Sequence, residues 1–142
     1  MKVVPSFGPE IPTDVRTKAH RPRVLLVEDS EDNRSMMRRI LEMNGCEVRE
    51  AVNGQQAVVV ARELSPDLIL MDLSLPLVDG LAATRRIRQL DGLKDVPIVM
   101  VSAHDTPEVH AEALASGCNG YLTKPIDVGL LEQLIKRLAP AG

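Results

Sequence analysis

The sequence predicts an α/β fold, a flavodoxin-like (βα)5 doubly wound parallel sheet, and three observations carry that reading. First, Val24-Leu25-Leu26-Val27, Leu68-Ile69-Leu70-Met71 and Ile98-Val99-Met100-Val101 are short, unbroken apolar runs. They have the pattern of strands buried on both faces of a parallel sheet. Second, stretches with apolar residues at helical spacing separate such runs, so strand and helix alternate strictly, a pattern that predicts helices on both faces of the sheet and right-handed crossovers. Third, 142 residues hold five such units in one domain and fall far short of an eight-fold barrel.

Start and stop signals place each element. Residues 1–22 hold Pro5, Pro9, Pro12 and Pro22, scattered charges and no period. They read as a disordered or loosely attached arm, either an ordinary floppy terminus or a docking segment or linker. The folded domain is expected over 23–139, with a tail at 140–142. The first strand is 24–27. Ser30 or Asp29 can cap a helix over 31–44, in which Met36, Met37, Ile40 and Leu41 recur at helical spacing and Asn44-Gly45 supplies the stop. The second strand, 47–51, is short and partly polar, which places it near a sheet edge. Asn53-Gly54 turns into a helix over 55–64, ended at Ser65-Pro66 because the residue before a proline avoids the right-handed helical region. The third strand is 68–71. A helix then runs from Asp79-Gly80 to about Leu90, where Asp91-Gly92 breaks it, and Val96-Pro97 leads into the fourth strand, 98–102. Thr106 as cap and Pro107 at the first helical position open a helix that ends near Ser116-Gly117. The fifth strand is 120–123. Asp127 can cap a last helix over 128–138, with Leu130, Leu131, Leu134, Ile135 and Leu138 as its apolar stripe.

Composition narrows the function classes. Hydrophobic content of 44% and charged content of 26% are ordinary for a soluble globular protein. Phe7 and Tyr121 are the only aromatics, so the core must be built from Val, Leu, Ile, Met and Ala. A net charge of −3 gives no electrostatic footprint for nucleic acid or an anionic membrane. Cys46 and Cys118 follow no metal or redox spacing and read as reduced thiols. With no apolar leader and no run long enough to span a bilayer, the expected compartment is the cytoplasm.

The strand ends carry the functional signal. Parallel neighbours end on one rim, and in open α/β sheets ligands bind there. The first strand runs into Glu28-Asp29, the third into Asp72, the fourth into Ser102 and the fifth into Lys124-Pro125. Three carboxylates, a hydroxyl and an ammonium would converge, a set suited to a divalent cation and a phosphoryl group. Asp72 can act as an oxygen nucleophile towards phosphorus. Glu28, Asp29 and Asp72 can ligate Mg²⁺, which prefers oxygen donors and takes one or two protein carboxylates, with the backbone carbonyl near Ser74 as a further ligand. Ser102 can hold one phosphoryl oxygen and Lys124 can neutralise another. Each residue has a plainer reading. Asp72 could be a solvated strand end or a helix cap, Glu28-Asp29 a charge favouring the helix dipole, Ser102 a loop hydrogen-bonder and Lys124 a surface charge. Their coincidence at the ends of four strands favours the functional reading.

Residues 23 to about 139 resemble a response-regulator receiver domain of two-component signalling. The matching motifs are Val-Leu-Leu-Val-Glu-Asp (24–29), Pro-Asp-Leu-Ile-Leu-Met-Asp-Leu-Ser-Leu-Pro (66–76), Asp79-Gly80, Pro-Ile-Val-Met-Val-Ser-Ala (97–103), Gly-Cys-Asn-Gly-Tyr-Leu (117–122) and Lys124-Pro125. The resemblance implies strand order 2-1-3-4-5. It implies Asp72 as phosphoacceptor, Glu28 and Asp29 as the acidic pair that holds Mg²⁺, with Glu in place of the commoner first Asp, and Lys124 as the family's lysine. Ser102 matches the switch hydroxyl. Tyr121 matches the switch aromatic, which rotates inward as Ser102 moves; the plainer reading is a tyrosine half-packed at an edge strand. Ser74 and His104 stand where the family tunes dephosphorylation, and His104 could instead be a plain loop histidine.

The same resemblance implies partners. A sensor histidine kinase or histidine phosphotransfer protein would donate the phosphoryl group, and pairing would rest on surface residues of the first helix such as Arg34, Met37 and Arg38. A downstream protein would read the face formed by the fourth helix, fifth strand and fifth helix. A phosphorylation-linked homodimer is a further expectation. The chain ends at Gly142 with no helix-turn-helix pattern, so the expected output is protein–protein contact by a stand-alone receiver that catalyses only its own phosphotransfer and autodephosphorylation. The alternatives are a phosphorylation-independent interaction module and a receiver fragment of a hybrid kinase. An aspartyl-phosphate phosphohydrolase would want an acid where Ser74 stands. An FMN-binding module would want phosphate-cradling amides where Glu28-Asp29-Ser30-Glu31-Asp32 stands.

Overall fold

The computed structural model describes residues 21–75 and 77–138, and the side chain of Leu138 lies outside that description. Most of the expected arm and the tail at 140–142 also lie outside it. The elements alternate as β1 (Arg23–Val27), α1 (Glu31–Met43), β2 (Glu47–Ala51), α2 (Gly54–Leu64), β3 (Leu68–Asp72), α3 (Gly80–Arg88), β4 (Ile98–Ser102), α4 (Pro107–Ser116), β5 (Gly120–Thr123) and α5 (Val128–Leu138). All strand pairs are parallel, and the order is β2-β1-β3-β4-β5. β2, the most polar strand, stands at an edge as its composition requires.

Local chemistry sets the boundaries. Ser30, Asn53, Asp79 and Thr106 cap the N-termini of α1, α2, α3 and α4, each side chain accepting from an amide three residues on. Asp127 does the same for Leu130 at the start of α5. The break after α1 is Gly45 at φ +83, as a left-handed stop requires. Ser65 escapes the right-handed region before Pro66 by taking φ 50, ψ 65. Two glycines admit close backbone approach: a Cβ on Gly54 would collide with the Val78 carbonyl, and one on Gly80 with the Asp72 carbonyl. The start of α2 and the start of α3 therefore both press on the segment that leaves β3.

Successive side chains on each strand point to opposite faces, and the core splits accordingly. Leu25, Val27, Ile69, Met71, Ile98, Met100 and Tyr121 form one layer with Ala57, Ala61, Ala83, Ile87, Ala113 and Cys118. Val24, Leu26, Leu68, Leu70, Val99, Val101 and Leu122 form the other with Met37, Leu41, Cys46, Leu131, Leu134 and Ile135. Thus α2, α3 and α4 cover one face, and α1 and α5 cover the other. Each fully buried Leu, Ile, Val or Met contributes roughly 1.5–3 kcal/mol of transfer free energy.

One expectation for α1 is overturned. Met37 is not a surface residue available to a partner: it is 2% exposed, while Met36 beside it is 44% exposed. Positions 37 and 41 share the helix face that meets the sheet, and 36 lies off it. Arg34 and Arg38 reach sideways to Glu50 on the edge strand β2, at 3.2 and 2.7 Å, with Arg38 still 40% exposed.

Candidate functional site

β1 and β3 are direct neighbours, with Val27 opposite Met71. The residues that follow, Glu28-Asp29 and Asp72, therefore emerge side by side. One oxygen from each of Glu28, Asp29 and Asp72 lies within 4.8 Å of the others. Glu28 and Asp72 are buried and Asp29 is exposed. Ser30 donates its amide to Glu28 Oε2 at 3.1 Å, and Ser74 donates its amide to Asp72 Oδ1 at 3.2 Å. Lys124 arrives from the end of β5 and places Nζ 3.2 Å from Glu28 Oε1 and 3.3 Å from Asp72 Oδ2. The Lys124-Pro125 peptide is cis.

One ammonium does not balance this set. Burial, then the Glu28 charge, pushes the Asp72 carboxyl up to about 6, although Lys124 and the Ser74 amide pull the other way. Burial alone would lower Lys124, but the two carboxylates outweigh it and raise the ammonium. The excess negative charge and the hard oxygen donors fit a divalent cation such as Mg²⁺.

The remaining expected residues fall around this cluster. Ser102, 2% exposed, ends β4, and its Oγ accepts from the His104 amide at 3.0 Å. The His104 side chain is exposed, but its carbonyl accepts from the Tyr121 hydroxyl. Tyr121 is buried rather than half-packed, because β5 is covered by α4 and the ring of His110 stacks on it. The Ser74 side chain is exposed, and its contact with the cluster is through the backbone amide.

Sequence reasoning missed His110 and gave Arg34 only a partner-pairing role. Arg34 Nη1 donates to the Glu28 and Asp29 carbonyls at 3.1 and 3.4 Å while Nε holds Glu50 at 3.2 Å, so it braces the loop that carries the acidic pair. Its place in the first turn and a half after that pair was the available signal. His110, one turn into α4, gave none. A cleft of about 450 Å³ opens beside the cluster, lined by Glu28, Asn33, Met36, Met37, Lys124, Pro125 and Ile126. Among the described residues no helix is long and apolar enough to cross a membrane.

Comparison with known proteins bears on this geometry. Residues 24–136 match the family model described as the response regulator receiver domain. The chain is 38% identical over 113 residues to the polar-differentiation response regulator DivK of Brucella anthropi, covering 80% of this chain and 92% of that one. It is also 38% identical over 127 residues to hybrid signal transduction histidine kinase G of Dictyostelium discoideum, covering 87% of this chain and 4% of that protein. Among solved structures, the chemotaxis protein CheY4 of Vibrio cholerae superposes with a TM-score of 0.79 at 30% identity, over 83% of this chain and 98% of that one. The receiver domain of sensor histidine kinase PA1611 of Pseudomonas aeruginosa, solved with a magnesium ion coordinated in its active-site cleft, gives 0.79 at 34% identity, over 84% of this chain and 98% of that one.

Proposed function

The chain belongs to the response regulator receiver family of two-component signalling, and on that premise we propose that it is a switch driven by phosphorylation of Asp72. The observation that carries the proposal is the rim itself: three carboxylates within 4.8 Å of one another, with Lys124 Nζ bridging Glu28 and Asp72.

Glu28, Asp29 and Asp72 would hold Mg²⁺, with the Ser74 backbone carbonyl as a further ligand. Bound there, the ion offsets the repulsion between a carboxylate and the phosphoryl oxygens. An Asp72 carboxylate oxygen attacks phosphorus of a phosphohistidine. The O–P bond forms as the N–P bond breaks, and the donor imidazole leaves with the bonding pair. Lys124, already on Asp72 Oδ2, moves its charge onto a phosphoryl oxygen. Ser102 donates to another, and Tyr121 follows it. Ser74 and His104, two residues beyond Asp72 and Ser102, tune the lifetime of the aspartyl phosphate. The chain catalyses only these two steps, its own phosphorylation and its hydrolysis.

The donor is a histidine kinase or a histidine phosphotransfer protein in the cytoplasm. The reader is a protein that docks on the α4–β5–α5 face, and phosphorylation can favour a homodimer. The similarity to a hybrid kinase supports a second reading, in which this receiver works as one module of such a kinase.

Intact-protein mass spectrometry after incubation with phosphoramidate and Mg²⁺ tests the proposal. One phosphoryl adduct is expected, lost in Asp72→Asn and with a chelator. A folded wild-type protein with no adduct, under quenching fast enough to trap a short-lived phosphate, would point instead to a phosphorylation-independent interaction module.

A further inference from the structure

Tyr121 is held from more sides than a strand residue needs. Its side chain is 3% exposed. Its hydroxyl donates to the His104 carbonyl, and the His104 amide donates to Ser102 Oγ at 3.0 Å. One residue of the β4–α4 loop thus ties the buried tyrosine to the strand-end hydroxyl. His110, on the first turn of α4, lies against the tyrosine ring with centroids 4.0 Å apart and planes 27° from parallel. The imidazole is itself anchored: Nε2 stands 2.6 Å from Asp105 Oδ1. The start of α4 is fixed in turn, since Thr106 Oγ1 accepts from the Val109 amide at 3.2 Å and the His110 amide donates to the Thr106 carbonyl at 3.0 Å. The result is a flat plate, pinned at Nε2 by Asp105 and carried on a capped helix start, against the one tyrosine of the chain.

We propose that His110 is a positioning residue of the switch: anchored by Asp105, its ring holds Tyr121 in the buried position and so favours the state that a phosphoryl group on Asp72 selects. This rests on the phosphoryl-switch reading above. A two-state element is biased by any group that contacts one state better than the other. A stacked aromatic pair is strong enough to shift such a population roughly 2- to 10-fold, and linkage passes the same factor to the affinity of a ligand at the rim.

The chain has one tyrosine and no tryptophan, so its emission at tyrosine wavelengths reports Tyr121 alone. Two measurements on the full chain form the test: acrylamide quenching of that emission without any ligand, and titration with beryllofluoride plus Mg²⁺ as a phosphoryl mimic. In His110→Ala, Tyr121 is expected to become more accessible to acrylamide and beryllofluoride to bind roughly 2- to 10-fold more weakly. His110→Phe, which keeps a flat ring, is expected to restore both; Asp105→Ala, which frees the imidazole, is expected to shift both in the same directions as His110→Ala but by less. Wild-type quenching and affinity in His110→Ala would overturn the proposal, as would His110→Phe behaving like His110→Ala. A wild-type protein that ignores beryllofluoride would instead overturn the switch reading, and the ligand-free quenching series would still decide whether the stack holds Tyr121.

Discussion

Two half-buried cations stand at opposite ends of the sheet and are neutralised in different ways. At the carboxyl end, Lys124 lies between Glu28 and Asp72, the cluster keeps a net negative charge, and burial followed by the Glu28 charge lifts Asp72 to about 6. At the amino end of β4 and β5, Arg88 meets no carboxylate at hydrogen-bonding distance in the described contacts. Its guanidinium donates to the carbonyls of Gly117, Leu93 and Val96 at 2.9, 3.3 and 2.6 Å and to Asn119 Oδ1 at 2.7 Å. Asn119 Oδ1 also accepts from the Ile98 amide at 2.8 Å. Burial pulls the Arg88 guanidinium down, with Asp95 opposing. The Arg88 end is a closed hydrogen-bond network that ties α3 to the two loops entering the sheet. The Lys124 end is left electrostatically incomplete, and that deficit is what a cation or a phosphoryl group can answer.

The largest expected effects have opposite signs. Arg88→Ala strips the donor from three carbonyls and an amide oxygen and should cost about 3 kcal/mol, with Mg²⁺ affinity unchanged; chemical denaturation with a parallel Mg²⁺ titration checks both. Asp72→Asn should stabilise the metal-free protein. Lifting the carboxyl from 3.8 to about 6 corresponds to roughly 3 kcal/mol at neutral pH as an upper figure. A destabilised Asp72→Asn would remove the contrast between the two ends.

The second effect carries a pH signature. Folded Asp72 holds its proton to a higher pH than an unfolded carboxyl, so its contribution is present in full below pH 3.8 and is lost as pH rises through about 6. Melting curves of metal-free wild type and Asp72→Asn should therefore converge at low pH and separate progressively up to neutrality. Mg²⁺ should narrow the gap at pH 7.5 or so by binding only the wild-type rim.

Gly80→Ala should cost about 1–3 kcal/mol by overpacking against the Asp72 carbonyl, and it should also weaken Mg²⁺, unlike Arg88→Ala. Calorimetric titration of the two variants side by side would sharpen the comparison. At the small end, Arg38→Ala should change stability by less than about 1 kcal/mol, because Arg38 pairs with Glu42 and Glu50 at 40% side-chain exposure.

The rim was readable because its parts are local: each acid, hydroxyl or ammonium directly follows an apolar run, and a parallel sheet brings such ends together. The bounds of β2, β4, β5 and α5 followed from glycines, prolines and caps beside them in the chain. Asp72 belongs to β3 rather than following it, since it pairs with Val101 across the sheet, a register no single strand declares. Met36 and Met37 are adjacent and chemically alike, so which one faces the sheet depends on the docking angle of α1. Arg88, and the bracing role of Arg34, were hard to read for a further reason: their partners are mostly backbone carbonyls, which every residue has and no side-chain pattern marks. His110 depends on how α4 settles over β5, a long-range outcome.

The division of the core into two layers places one cysteine in each. Cys46 lies under α1 and α5, and Cys118 lies beneath the opposite set of helices. Burial pushes both thiols up to about 11, so neither reacts at neutral pH while its layer stays closed. Alkylation rates at the two sulfurs would therefore time the breathing of each half of the molecule separately. Whether ligand binding at the rim slows both clocks or one then tells how far through the body of the protein a local electrostatic event is felt.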